Sequence, residues 1–435
     1  MTEADVHSGN PVVGASIRSR IQQLDVLRGL AILGILFLNL PPMGTTILAA
    51  FEFPHLAPSW NPADQAAWRF LEVFVEGTQR GLLQFLFGAS VLILTARAMR
   101  ADGPVAVADL YYRRNLWLLV FGLVNIFVLL FPGDILFVYA LAALFLFPFR
   151  RVGPKTLLAL GLSWALLQAV VGGARYVERA QLAEEVATIR LDRSALGRSD
   201  KETLERWAEA RKEVTPDREF LAADAANRVA SLPRYAAWMQ EMWLERARSL
   251  EIFFKAVPEA FAAMLIGMAL FKWQVLQGMR RRRFYVVAGA AAYAIGLALR
   301  FVEAEQQLSL IPGPRLEWIT EEFARLAVTF GHVCLVSLIF ATSTGHRLLS
   351  FFSASGRMAF SLYVMQTILI TWLLSPAFGL GLWGKLGWAE MLLVSVIIAA
   401  GQAVLAVLWL RPFATGPVEW LWRSLVDMKP RPFRL

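Results

Sequence analysis

Long apolar runs separated by short basic or turn-rich segments set the rhythm of this chain. Ten runs stand out, at roughly 29–50, 80–97, 115–131, 135–149, 156–172, 252–271, 284–301, 324–344, 358–375 and 390–410. Most reach the roughly 17–25 residues that a helix needs to cross a bilayer. The pair 115–131 and 135–149 meets at "FPGD" and predicts a tight hairpin whose members are short, one of them a candidate re-entrant segment. One long polar break, 173–251, interrupts the series. Its first part, "RSDKETLERWAEARKEV", mixes both charge signs with few helix breakers and predicts helices. Its second part, "FLAADAANRVASLPRYAAWMQEMWLERA", alternates apolar and basic residues. That pattern predicts either an amphipathic helix on the membrane surface or a lid over the bundle.

Composition narrows the class. Of 435 residues, 57% are hydrophobic and 18% charged, and the mean hydropathy is +0.51. A soluble domain of this size does not bury so much apolar surface. The expected fold is therefore an all-α polytopic membrane protein of about ten transmembrane helices. About 28 mostly polar residues precede the first run and no small-residue cleavage site follows it, so that run reads as a retained span. The formal charge of +9 reads as basic loops on one membrane face, not as a nucleic-acid surface. Arg113 and Arg114, Arg150 and Arg151, Arg280 to Arg283, Arg347 and Arg357, and Arg411 and Arg423 fall in alternate loops. This alternation predicts both termini on the cytoplasmic side of a bacterial inner membrane. The division that follows is a tail over 1–28, spans 1–5 over 29–172, an extracytoplasmic helical insertion over 173–251, spans 6–10 over 252–410, and a tail over 411–435. Cys334 is the single cysteine, so no internal disulfide forms, and no Cys/His metal cluster exists.

Span one carries the densest chemistry. In "LDVLRGLAILGILFLNL", Arg28 and Asn39 are eleven residues apart, close to three helical turns, and Asp25 lies one turn before Arg28. Asn39 sits about 16 Å along the helix from Arg28, near mid-membrane. A polar stripe at that depth faces protein or water. The plain alternative is that Asp25 caps the helix, Arg28 anchors it at the headgroups, and Asn39 bonds a neighbouring helix.

Other polar residues fall inside spans: Gln84, Asn125, Tyr139, Ser361, Gln366 and Gln402. Each lines a cavity or ties two helices together. Asp134, at the hairpin tip, is either turn chemistry or a carboxylate orienting a base or an acceptor amine. The four histidines are His7 in the tail, His55 at the outer mouth, His332 inside span eight, and His346 at its far end. His55 and His332 are the candidate bases, each with an ordinary structural role as its alternative.

Four ordered segments carry a resemblance. "LDVLRGLAILGILFLN", "GDILFVYAL" (133–141), "GRMAFSLYVMQT" (356–367) and "LRPFATGPVEWLWRSL" (410–425) resemble motifs of the YeiB-like family, domain of unknown function 418. "MLIGMALFKW" (264–273) is a weaker match. The family is distantly similar to membrane acyltransferases such as heparan-α-glucosaminide N-acetyltransferase. The resemblance implies transfer of an acyl group from acetyl-CoA, or another acyl-CoA, to an extracytoplasmic acceptor. On that reading Asp25, Arg28, Arg357 and Arg411 are the expected donor-binding residues, and His55, His332, Asn39 and Asp134 the expected chemical ones. The implied cavity is lined by Gln84, Asn125, Tyr139, Ser361 and Gln366.

Two positions depart from the pattern. The sugar O-acyltransferases carry a His where this chain has Asn39, and the YeiB-like hairpin often carries one where this chain has Asn125. The rival reading is a transporter or lipid-binding membrane protein without chemistry, using the same polar stripe. Membrane lipids and a small-molecule, glycan or lipid acceptor are the expected partners. A homodimer is among the expected assemblies, and nucleic acid is not.

Overall fold

The computed structural model describes residues 11–98, 103–191, 197–375 and 378–434. His7 and the first ten residues of the expected tail lie outside them. Among the described residues the chain is helical, apart from an isolated bridge between Phe413 and Arg434. Seven helices are long and apolar enough to cross a membrane: Gln22–Gly44, Pro62–Ala96, Pro154–Leu191, Ile252–Lys272, Arg282–Ser309, Glu317–Phe340 and Trp388–Trp409. The chain is thus a multi-pass membrane protein. Their outer faces hold exposed apolar side chains such as Ile295, Leu393 and Ile397, where lipid replaces water.

The elements depart from the ten expected runs for physical reasons. Span one runs as α1 (Pro11–Gly34) into short turns at Leu36–Asn39 and Pro41–Gly44, and the chain turns away well before residue 50. At the loosened turn, Gln366 Nε2 inserts and donates to the Ile32 carbonyl at 2.9 Å. The second span starts earlier than expected. Helix α2 (Pro62–Phe70) opens on an Asn61/Asp64 capping box and continues through a π-helical stretch, Leu71–Val75, into α3 (Thr78–Ala98). After α4 (Gly103–Phe127) comes α5 (Leu136–Leu144). Its nine residues rise about 14 Å, half the apolar core, so α5 does not cross alone.

The expected span at 156–172 is only the first half of α6 (Pro154–Leu191). This 38-residue helix carries on into the insertion, a rod of about 57 Å. Three more helices complete the insertion: α7 (Arg198–Lys212), α8 (Arg218–Arg228) and α9 (Leu232–Arg248). Arg179 and Arg175 of α6 both pair with Glu213, just past α7. Helix α9 buries Tyr235 and Met239 in the same core as span one, and Gln240 donates to the Phe127 carbonyl. It is a lid on the bundle, the second of the two expectations for that segment.

The second half contains α10 (Val257–Lys272), α11 (Arg282–Ser309), α12 (Glu317–Phe340), α13 (Ser353–Arg357), α14 (Ala359–Thr367), α15 (Trp388–Trp409) and α16 (Pro417–Asp427). Two close approaches set the packing. A Cβ on Gly29 would lie 2.0 Å from the Phe352 carbonyl, and one on Gly356 would lie 1.8 Å from that of Asp25. Gly88 and Gly267 do the same between α3 and α10. Bare backbone at both pairs lets the main chains touch, as small residues do between membrane helices. Gln22 Nε2 adds a hydrogen bond to Ser350 Oγ across 328 positions, so α1 and the α13 region form one end of the molecule.

Candidate functional site

At that end, Arg28 Nη1 pairs with Asp25 Oδ1 at 2.9 Å, both partly exposed. Asp25 lies in the field of Arg28, Arg357 and Arg423. Arg114 belongs to the same group, close to Arg423 and Arg28. It stacks on Trp422 of α16 at 4.2 Å, and Trp422 Nε1 donates to the Arg114 carbonyl. Arg357 Nη2 donates to the Ala414 carbonyl at 3.3 Å. Burial pulls the Arg423 guanidinium below its ordinary value, Glu419 opposes this, and Arg431, Arg28 and Arg357 add to it. Three guanidiniums, those of Arg28, Arg357 and Arg423, therefore lie around Asp25, with Arg114 beside Arg28 and Arg423. Such an arrangement suits a multiply charged anion, above all phosphate. Arg411, expected here, is exposed and makes none of these contacts among the described residues.

Helix α16 is fixed to this end by Glu419. Its carboxylate accepts from the Phe360 and Ser361 amides, at 2.7 and 3.1 Å, and from Ser361 Oγ. The Val418 amide donates to Ser361 Oγ. Ser361, read as cavity lining, is committed to this anchor. Gln366 is likewise committed, to Ile32 and to Gln402 Oε1 at 2.9 Å.

Asn125, read as cavity lining, and Asp134, read as part of the chemistry, are hydrogen-bonded to each other. Asn125 Nδ2 donates to Asp134 Oδ1 at 2.8 Å, Tyr363 Oη donates to the same oxygen at 3.1 Å, and the Phe137 amide donates to Oδ2 at 2.7 Å. Asp134 thereby caps α5 and ties the hairpin to α14. Tyr139 donates to the Arg80 carbonyl.

Gln84 belongs to a buried ionic cluster that the sequence reading did not assemble. Arg325 forms a two-pronged pair with Glu322 (2.7 and 2.8 Å), lies 3.5 Å from Glu259, and donates to Gln84 Oε1 at 3.0 Å. Arg80 Nε completes it, 3.3 Å from Glu259. The available signal was charge inside apolar runs: Arg325 in "EEFARLAVTF" and Glu259 in "AVPEAFAAML".

The two candidate histidines differ. His332 has both ring nitrogens engaged, Nδ1 with Tyr293 Oη at 2.7 Å and Nε2 with the Phe74 carbonyl at 2.9 Å. The carbonyl fixes the proton on Nε2, so the tyrosine donates to Nδ1. His55 is half-buried, edge-on to Phe53, with no side-chain hydrogen bond among the described residues. The neighbouring Pro54 carbonyl accepts from Trp388 Nε1. Trp388 is also a wall of a small pocket at the insertion end, shared with Phe37, Trp68, Glu72 and Glu76 and open to solvent. Asn39 follows two pocket-lining residues and is half-buried, with no side-chain hydrogen bond among the described residues.

Comparison with known proteins places the chain. The model of the family described as "Protein of unknown function (DUF418)" matches residues 270–429. The protein YxaH of Bacillus subtilis is 31% identical over 425 residues, covering 95% of this chain and 96% of its own. The chain belongs to the DUF418 family. YeiB of Escherichia coli is 27% identical, covering 92% of this DUF418 chain and 95% of its own length. A 39.9 kDa protein encoded in the amylase 3′ region of Bacillus acidopullulyticus is 24% identical, with 97% of each chain covered. No solved structure matches. The segment matched by the DUF418 model includes Arg357, Ser361, Gln366, Glu419 and Arg423, hence the anchor of α16 and half of the arginine group.

Proposed function

We propose that this DUF418 protein is a transmembrane acyltransferase of the bacterial inner membrane. It moves an acyl group, an acetyl in the simplest case, from cytoplasmic acyl-CoA to an acceptor on the other side. The observation that carries this reading is the grouping of Arg28, Arg357 and Arg423 around Asp25, with Arg114 beside Arg28 and Arg423. In this scheme both termini are cytoplasmic, and the arginines hold the CoA phosphates by charge-assisted hydrogen bonds. Asn39 donates to the thioester oxygen as negative charge develops there. His55, which makes no side-chain hydrogen bond among the described residues, takes the proton from an acceptor hydroxyl or amine as that atom attacks the carbonyl carbon. The C–S bond then breaks and CoA leaves as the thiolate. Asp134 holds the hairpin in place.

A second reading, a lipid-binding or transport protein without chemistry, is favoured by one observation. His332, the histidine within a span, has both nitrogens engaged in structure. One experiment separates the two. Acetyl-CoA is titrated into the detergent-purified protein while the unfolding temperature is followed, and labelled acetyl transfer is then sought in membranes. Saturable stabilisation that Arg28→Ala removes supports acyl transfer. No shift at millimolar acetyl-CoA sinks it.

A further inference from the structure

The pocket at the insertion end has a chemistry of its own, independent of the acyl-transfer reading. Trp68, Trp388 and Phe37 form its walls, and two acidic residues, Glu72 and Glu76, also line it. The nearest cation to Glu72 is Arg300, whose Nη1 is 3.7 Å away. Glu76 has no ion-pair partner within 4.0 Å among the described residues. No lysine, arginine or histidine lines the pocket.

The main chain adds acceptors. Pro41 and Pro42 have no N–H, so the carbonyls of Phe37 and Leu38, four residues before them, lose their helical donors. Among the described residues no backbone amide replaces those donors, and both residues line the pocket. The same proline break already binds a cation elsewhere: Arg228 Nη2 of the insertion donates to the Pro42 carbonyl at 3.0 Å. The pocket is thus an aromatic box with an excess of negative charge and spare acceptors.

We propose that this pocket binds a protonated amine, the primary ammonium group of a small organic ligand. Three N–H donors on one positive nitrogen match a carboxylate and the freed carbonyls. The indole and phenyl faces attract the same charge through their ring quadrupoles and pack on the carbon chain beside it. An inorganic cation has neither N–H donors for the carbonyls nor a carbon chain for the rings to pack on. A quaternary ammonium would use the rings and leave the carbonyls without a donor.

The test is isothermal titration of the full chain in detergent with ethylammonium chloride, at constant ionic strength. Tetramethylammonium, sodium and propan-1-ol serve as comparisons. Ethylammonium is expected to bind saturably, at least tenfold more tightly than tetramethylammonium or sodium, with no heat from propan-1-ol. Glu76→Gln is expected to weaken ethylammonium at least tenfold while eluting as the parent does on gel filtration. Should that variant not fold, Phe51→Ala, at the exposed rim of the pocket, is expected to weaken binding at least threefold. Absence of saturable ethylammonium binding overturns the proposal. So does equal binding of sodium, and so does an affinity unchanged in whichever variant folds.

Discussion

Arg228 and Asp224 form an ion pair at 3.0 Å that is almost wholly withdrawn from solvent, with side chains 1% and 0% exposed. The pair is not local to the insertion. Arg228 also reaches the Pro42 carbonyl, and Asp224 accepts from the Ile47 amide (3.3 Å) and from Trp238 Nε1 (2.9 Å). The lid is therefore latched onto the proline break of span one. Removing one partner leaves the other charge buried, which costs about 3–5 kcal/mol. Asp224→Ala is expected to lower the unfolding temperature in detergent sharply and to open the lid to limited proteolysis. The double variant Asp224→Leu, Arg228→Met is expected to recover much of the loss. A single-variant midpoint equal to the parent's would refute the latch.

Glycine substitutions should split by sign. Gly29→Ala puts a methyl 2.0 Å from the Phe352 carbonyl, so α1 and α13 must separate. A cost of about 1–3 kcal/mol is expected, together with loss of any anion binding that needs both Arg28 and Arg357. At Gly173 and Gly401, within α6 and α15, a Cβ meets nothing within 4 Å. Alanine there is expected to stabilise by roughly 0.4–1 kcal/mol, by restricting the unfolded chain. Chemical or thermal unfolding of the three variants side by side checks the contrast.

Arg325→Met should be among the most damaging substitutions in the bundle. It strips the shared cation from Glu322 and Glu259 while both stay buried. The expected loss is about 3–5 kcal/mol, visible as poor recovery from membranes. Glu322→Gln on the Arg325→Met background is expected to restore part of the yield. A stable single variant would show that the cluster is dispensable.

Docking of α16 should respond to pH through Glu419. Burial raises this carboxyl above its ordinary value of 4.5, against the hydrogen bonds from Ser361 and the nearby amides. The folded state thus holds the proton more tightly than the unfolded chain does. The resulting stabilisation is complete below 4.5 and is lost as pH rises through the folded value. Comparing unfolding temperatures of the parent and Glu419→Gln from pH 8 down to 5, the parent is expected to gain on the variant as pH falls. A constant difference across that range would count against this account.

The segments that read true were those where one local rule decides. Seven of the ten apolar runs coincide with helices long and apolar enough to cross a membrane, and mixed charges without breakers marked the helices of the insertion. What was not legible depended on partners distant in the chain. Gln84 stood out as a polar residue in a span, but Glu259 and Arg325, which occupy it, lie in helices far along the sequence. Ser361 looked like cavity lining because Glu419, which claims it, belongs to a helix past the last apolar run. The end of α6 was invisible because a helix leaving the membrane keeps its backbone pattern and changes only its surface. Gly29 and Gly356 were visible as letters in two motifs, yet only the fold shows that each makes room for the other's main chain.

The contact between those two motifs also fixes an order of events. Gln22 and Ser350 are 328 positions apart, and ribosomes add roughly 5–20 residues per second. Span one therefore waits roughly 15 to 65 seconds in the bilayer before its partner exists. During that time Arg28 has its counter-ion, Asp25, but neither Arg357 nor Arg423. The arginine group is absent from every nascent form of the protein and comes into being only near the end of translation, so an incomplete chain carries no anion trap into the membrane.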